Sequence, residues 1–320
     1  MNRVLLALAF STALAAQSKV GVLHVQGQVY LIYGTGSNIT MQAGDQAVVL
    51  VDSGPASMSA DVMKAIRTVS QKPIAYIINT SYDRDHTGGD GNLAQGGFYM
   101  LATVHGSPQQ AAIVSHLKTL DRMSADGSDV PHADWPTETY EDEAWHLYAN
   151  DEPLILEHAA NAHTDGDSVV FFRHSDVLST GGAFVTTSYP VLDVKTGGTI
   201  NGDIDALNLI IDIAVPHDHQ EGGSYVIPGE GRLCDEADVV EYRNMVVIIR
   251  DRLQDMIKRG MTLEQVKAAK PTADYDGRYA TRAWTADMFV EAAYRTLMPT
   301  APVPRQAPGR GGPSRSSKAD

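Results

Sequence analysis

Short apolar runs separated by glycine-containing turns dominate the first eighty residues. Runs of this kind, rich in Val, Ile and Tyr and bounded by turn residues, predict β-strands. The segment 59–69 differs, because Val62, Ile66 and Val69 fall on one face of a helix. The apolar run 73–78 then predicts a buried strand. The strands predicted before this helix cover 28–33, 37–42 and 46–52.

Predicted strands and helices alternate through the rest of the chain. Apolar residues recur at helical spacing over 235–259, and Gly260 is a natural helix terminator. Thr262 and Gln265 fit a capping box, which predicts one further short helix. This alternation predicts a layered α/β sandwich. The remaining predicted strands are 98–102, 154–159, 177–180 and 224–227, and the remaining predicted helices are 108–123, 200–215 and 284–297.

The two ends of the chain differ from its middle. A basic residue, the apolar run 4–10 and then small residues are typical of a bacterial secretory signal peptide, predicted over 1–16. The apolar run is short for a membrane span, and the alternative is a merely apolar start. Residues 299–320 are dominated by Pro, Gly, Arg and Ser, which predicts a disordered basic tail. We therefore expect one domain over 20–298 in a periplasmic or secreted protein.

Charge and cysteine content exclude several functions. A formal net charge of -14 argues against nucleic acid or an anionic membrane as partner, because both need a basic surface. The single cysteine, Cys234, excludes an intrachain disulfide and a Cys-rich zinc site. It precedes a predicted helix, so it could be a low-pKa thiol or an inert one. The acidic segment 138–143 is interpreted as a solvated face or an edge strand.

Four predicted strands end at residues that could belong to one site. The loop after the strand over 73–78 carries Asp83, Asp85 and His86, and it ends in paired glycines. A strand followed by a ligand-rich loop and two glycines is a layout suited to a metal site, since carboxylates and imidazoles bind divalent metals. The other three strand ends lead to His163, Gly182 and Glu230.

The loop 81–86 resembles the His-x-His-x-Asp-His signature of the metallo-β-lactamase superfamily. Ser81 and Asp83 stand in the places of the first two histidines, whereas Asp85 and His86 match the signature. The flanking sequence is most similar to secreted, glyoxalase II-like metallohydrolases of this superfamily.

The other three strand ends resemble the remaining motifs of the superfamily. His163 opens a His-Thr-Asp-Gly-Asp stretch that resembles the motif supplying the third His. Gly182 stands where a bridging Asp is usual, and Glu230 replaces the His of a Pro-Gly-His-Gly turn. The resemblance therefore implies an αββα four-layer sandwich, the metallo-β-lactamase fold, with an altered metal site.

The resemblance also implies a set of metal ligands. Zinc is the metal expected from it, and the oxygen-rich set also suits manganese or iron. We expect one metal near Asp85, His86 and Glu230, with the other two residues assisting it or holding a weaker second ion. The predicted ligands are Asp83, Asp85, His86, His163 and Glu230.

The sequence accordingly predicts a metal-dependent hydrolase of a small-molecule ester, thioester, lactam or phosphoester. Asp85 is the predicted catalytic residue, which orients the nucleophilic water and later helps to protonate the leaving group. The alternative is a non-catalytic binding protein that keeps the fold and has lost the metal centre, as the residues at Ser81 and Gly182 suggest. A third possibility, an interaction protein working through the acidic segment or the tail, has only composition behind it.

Overall fold

The computed structural model describes residues 20–95, 97–98, 110–218 and 222–298. Within them, two β-sheets face each other and helices cover both outer faces, which confirms the predicted αββα sandwich. The predicted signal peptide, the predicted tail and most of the strand predicted over 98–102 lie outside the described residues.

The first sheet is built from the first half of the chain. Its first four strands pair antiparallel, and the last four pair parallel with their neighbours. Parallel pairing brings the carboxyl ends of neighbouring strands to one edge of the sheet. In order across the sheet the strands are β1 (Gly21–Gln26), β2 (Val29–Tyr33), β3 (Ile39–Ala43), β4 (Val48–Val51), β5 (Ile74–Ile78), β6 (Ala112–His116) and β7 (Glu138–Tyr140).

The second sheet is mostly antiparallel. Its strands are β8 (Ala144–Ala149), β9 (Glu152–His158), β10 (Ser168–Phe172), β11 (Val177–Ser179), β12 (Tyr225–Ile227) and β13 (Cys234–Asp235). They lie in reverse chain order across the sheet, from β13 to β8, and β11 and β12 form its parallel pair. The acidic segment forms β7 at the edge of the first sheet, which confirms the edge-strand interpretation.

The helices divide between the two outer faces. α1 and α3 pack against the first sheet, and α5, α6 and α9 pack against the second. No helix in the described part of the chain is long and apolar enough to cross a membrane. The helices are α1 (Ser59–Val69), α2 (Arg84–Thr87), α3 (Asp90–Ala94), α4 (Leu117–Met123), α5 (Ile200–Ile213), α6 (Glu236–Lys258), α7 (Leu263–Ala269), α8 (Asp276–Tyr279) and α9 (Ala286–Leu297).

Strand β4 shows why the strand runs are apolar throughout. Val48 and Leu50 face the layer of α1, whereas Val49 and Val51 face the second sheet. All four side chains are fully buried, so each contributes roughly 1.5–3 kcal/mol of burial free energy. A strand covered on both faces therefore lacks the alternation of a half-exposed strand.

The helix predicted over 108–123 is wrong in its first half. Within the described residues, Ala112–His116 is strand β6, and the helix begins only at Leu117. A short run with three apolar residues, Ala112–Val114, fits a strand or a helix equally, and parallel pairing with β5, for example Ile77 with Ile113, decides between them. The His116 side chain then caps α4 by accepting from the Lys118 N–H.

The predicted ends of α1 and α6 and the predicted start of α7 lie within one residue of the observed ones. α1 spans 59–69 as predicted, and α6 spans Glu236–Lys258 against the predicted 235–259. The predicted capping box of Thr262 and Gln265 opens α7. The side chains of Asp235 and Thr262 cap the starts of α6 and α7, so the local sequence suffices to place these two starts.

Candidate metal centre

The five predicted ligands line one pocket at the edge where the loops after β5, β9, β11 and β12 meet. Its volume is about 170 Å³. The structure therefore brings together residues that lie up to 147 positions apart in the chain, from 83 to 230. The lining residues are Asp83, Asp85, His86, His163, Gly182, Val185, Val191 and Glu230.

The loop after β5 is held by backbone contacts. The carbonyl oxygen of His86 accepts from the N–H of Ser53 at 2.7 Å and from its hydroxyl at 3.0 Å, and Ser37 donates to the Asp85 carbonyl. A Cβ atom on Gly89 would lie 2.6 Å from the Ser53 carbonyl oxygen. The second glycine of the pair is therefore required by this close approach.

His86 is oriented by a residue that the sequence interpretation did not include. Its Nδ1 lies 2.7 Å from Oδ2 of Asp52, which is only 2 % exposed and follows β4 in a left-handed conformation with φ 63°. Thr80 donates to the same carboxylate through its N–H at 2.9 Å and its hydroxyl at 2.8 Å. A carboxylate behind a histidine fixes the ring so that Nε2 faces the pocket, as in metal-ligating histidines.

The free nitrogen of His86 faces a second donor. Its Nε2 lies 3.9 Å from Oδ2 of Asp85, whose carboxylate is half exposed at the pocket. Burial lowers the pKa of His86, but the negative charge of Asp52, with smaller effects of Asp85 and Asp83, outweighs it and raises that pKa to about 9. Metal binding at Nε2 would therefore release a proton.

Asp83 and His163 bind each other. Oδ2 of Asp83 lies 2.8 Å from His163 Nε2 and also accepts from the Ser81 hydroxyl at 3.0 Å. The other ring nitrogen of His163 lies 2.6 Å from the Val191 carbonyl oxygen. Burial opposes both charges, but the mutual attraction lowers the pKa of Asp83 to about 2 and raises that of His163 to about 10. The pair is an ion pair with both imidazole nitrogens in use.

Glu230 lines the pocket, and its carboxylate is hydrogen-bonded to a neighbouring threonine. Its Oε2 accepts from the Thr187 hydroxyl at 2.9 Å. The turn that carries it is fixed from the other sheet, because Asn38 donates to the carbonyls of Pro228 at 2.9 Å and Gly231 at 3.0 Å. Glu230 thus lines the same pocket as Asp85 and His86 while its Oε2 is engaged by Thr187.

These contacts define what the donor set could hold. Among the described residues, no three His, Cys, Asp or Glu side chains converge as ligands around one point. Asp85 and His86 do offer neighbouring free donor atoms backed by Asp52, and Glu230 is a third donor nearby. The described part of the pocket thus presents two adjacent donors, Asp85 and His86, with Glu230 in the same lining, and not three converging ligands.

Cys234 takes no part in this pocket. The thiol is buried in β13 and lies 3.3 Å from the Arg232 carbonyl oxygen. Burial raises its pKa to about 12, so the low-pKa alternative for this residue is wrong.

The family is shown by sequence comparison. The model of the metallo-beta-lactamase superfamily matches residues 32–220, more than half of the chain, and the protein belongs to this superfamily. Its members are generally hydrolases and usually bind divalent metals, commonly zinc. No curated protein matches the chain.

Solved structures share the fold at low sequence identity. The sec-alkylsulfatase Pisa1 from Pseudomonas sp. superposes with a TM-score of 0.61 at 12% identity, over 86% of this chain and 50% of that one. A double mutant of that sulfatase gives a TM-score of 0.65. A metallo-beta-lactamase from Pontibacter korlensis gives 0.55 at 14% identity, over 71% of this chain and 99% of that one. The chain thus spans half the length of the sulfatase.

Proposed function

We propose that the protein is a hydrolase that works with one divalent metal ion, held by Asp85, His86 and Glu230. One observation carries the proposal: Asp52 orients His86 at 2.7 Å so that Nε2 faces the Asp85 carboxylate, 3.9 Å away, inside the pocket. Family membership supports it, because members usually bind divalent metals. Zinc is the first candidate, and the two carboxylates also suit manganese or iron.

The roles of the residues follow from their positions. A bound ion would supply Lewis acidity, which polarises the oxygen of the scissile group and lowers the pKa of water. The half-exposed carboxylate of Asp85 would accept a proton from the attacking water and pass it to the leaving group. Asp52 keeps the His86 ring in position through the reaction, and Val185 and Val191 give the pocket apolar walls.

The substrate remains a choice among ester, thioester, lactam and phosphoester groups, since this fold hosts many reactions. The name of the sulfatase neighbour adds sulfate esters to that choice. A volume of about 170 Å³ accommodates a reacting group rather than a whole drug-sized molecule, for which pockets of ~300–1,000 Å³ are usual. We therefore expect most of the substrate to lie outside the pocket.

The test is the metal content of the purified protein, by elemental analysis after reconstitution with zinc, manganese or iron. We expect about one ion per chain in the native protein and almost none in Asp85→Ala. Metal that does not depend on Asp85 would contradict the proposal. Activity on a panel of the five substrate groups should fall about 10²–10⁴-fold in the same variant, the usual effect of removing an acid–base group.

The alternative is a non-catalytic binding protein. The Asp83–His163 ion pair and the absence of a carboxylate at Gly182 favour it, because two predicted ligands bind each other and the usual bridging Asp is missing. Native protein that holds an ion and hydrolyses none of the panel would support this alternative. Native protein that holds no ion would support it more strongly.

A further inference from the structure

We infer that the Asp83–His163 ion pair takes the place of the second ion that these two residues could otherwise hold, so that the chain holds one divalent ion at most. The ion count rests on the proposed function, whereas the replacement itself rests on the contacts of the pair. The ion count and the ion pair can therefore be refuted independently of each other.

The first support is that the pair leaves no free donor atom on the imidazole. His163 Nε2 lies 2.8 Å from the Asp83 carboxylate, and its Nδ1 lies 2.6 Å from the Val191 carbonyl oxygen. A metal ion could bind Nε2 only by breaking the ion pair. The ring is 8 % exposed, so water could not easily take over the lost contact.

The second support is the contact between Ser81 and Asp83. Ser81 is fully buried, and its hydroxyl donates to the Asp83 carboxylate at 3.0 Å. The oxygen that Asp83 shares with His163 is thus also fixed from the side of the loop. Ser81 stabilises the pair, which gives a role to a residue that is a poor metal ligand.

The third support is the position of the His163 ring over Gly182. A Cβ atom on Gly182 would lie 3.2 Å from Cδ2 of His163, which is closer than most Cβ contacts. A larger residue there would require the ring, which Asp83 holds at 2.8 Å, to shift by a few tenths of an ångström. The glycine and the ion pair are therefore parts of one arrangement rather than separate losses.

The experiment compares metal content and thermal midpoint in Asp83→Asn, His163→Gln, their double variant and Asp85→Asn. Midpoints are measured with a chelator, so that bound metal does not add to stability. We expect Asp83→Asn and His163→Gln each to lower the midpoint by roughly 4–8 °C and to keep the native metal content. The midpoint of the double variant should fall by less than the sum of the two single-variant decreases.

Asp85→Asn is the matched control, because it removes a carboxylate charge from the same pocket at a half-exposed position. It should lose the metal and leave the midpoint within about 1–2 °C of the native value, since exposed substitutions have small effects. Two ions per native chain, or loss of metal in Asp83→Asn, would overturn the inference. Additive midpoint losses in the double variant would overturn it as well.

The two proposals remain distinguishable. If the native chain holds no ion, the proposed function fails, but coupled midpoints in the double variant still show the ion pair. If the native chain holds one ion and the midpoints are uncoupled, the ion pair is refuted while the metal site stands.

Discussion

Asp52 is the residue on which the orientation of His86 depends. Its φ is positive, which Asp tolerates better than most residues. Its buried carboxylate accepts a hydrogen bond from Thr80 and contacts Nδ1 of His86. The sequence contains one signal for it: a lone acidic residue directly after the fully apolar β4. That signal is weak, because an Asp also commonly begins a turn.

We predict that Asp52→Asn lowers metal affinity about 10–100-fold without removing a ligand, because the His86 ring loses its charged partner. Titration of the chelator-treated protein with zinc measures this. Glu152→Gln is the control, since Glu152 is also a buried carboxylate but binds Gln42 and Ser175 outside the pocket. It should destabilise the protein and keep metal affinity. Equal loss of affinity in both variants would contradict the prediction.

Individual site residues were predictable to different degrees. The types and order of Asp85, His86 and His163 identified the pocket, and the structure places all three in it. The bond between Asp83 and His163 was not predictable, because it joins positions 80 residues apart. Only the approach of two loops from different sheets decides whether those side chains bind each other or an ion.

Among the elements, the junction of β6 and α4 shows how a side chain ends one element and starts another. His116 is buried, stacks on His158 at 3.7 Å between ring centroids and accepts from the Lys118 N–H through Nδ1. Burial, and then the neighbouring charges of His158 and Lys118, lower the pKa of His116 to about 4, although a backbone hydrogen bond at Glu141 and the charge of Asp165 act in the opposite direction. The folded protein therefore keeps this histidine neutral.

This pKa predicts a loss of stability in acid. Below about pH 6.5 the unfolded chain binds a proton at His116 that the folded protein refuses until about pH 4, so the free energy of unfolding falls as the pH drops through this window. His116→Asn keeps a capping acceptor and removes the titration. Between pH 7 and 4.5 the native protein should lose about 2–3 kcal/mol more than the variant in urea unfolding. Equal losses of unfolding free energy in the native protein and the variant would contradict the low pKa of His116.

At the scale of the whole molecule, the candidate site depends on contacts between the two halves of the chain. Asn38 follows β2 in the first sheet and bonds to the turn after β12 in the second. Its backbone N–H also donates to the Gly229 carbonyl at 2.7 Å. Asn38 thus ties the turn that carries Glu230 to the first half of the chain.

We predict that Asn38→Ala lowers the free energy of unfolding by about 1–3 kcal/mol, because two buried carbonyls lose their donor. Asn38→Asp should be worse, since a carboxylate would face two carbonyl oxygens. Metal affinity should fall in both variants as Glu230 loses its support. Urea unfolding and zinc titration measure the two effects. A stable Asp variant with native affinity would contradict this account.

The sequence by itself determined most element types and helix ends, and its resemblance to the superfamily's motifs indicated five of the residues that line the pocket. These depend on local patterns: apolar periodicity for α1 and α6, capping side chains for α7, and loop composition after β5. Only the tertiary structure decided that Ala112–His116 is a strand, that Asp52 supports His86, and that Asp83 binds His163. The physical reason is that these outcomes depend on contacts between residues distant in the chain, whose geometry no local pattern encodes.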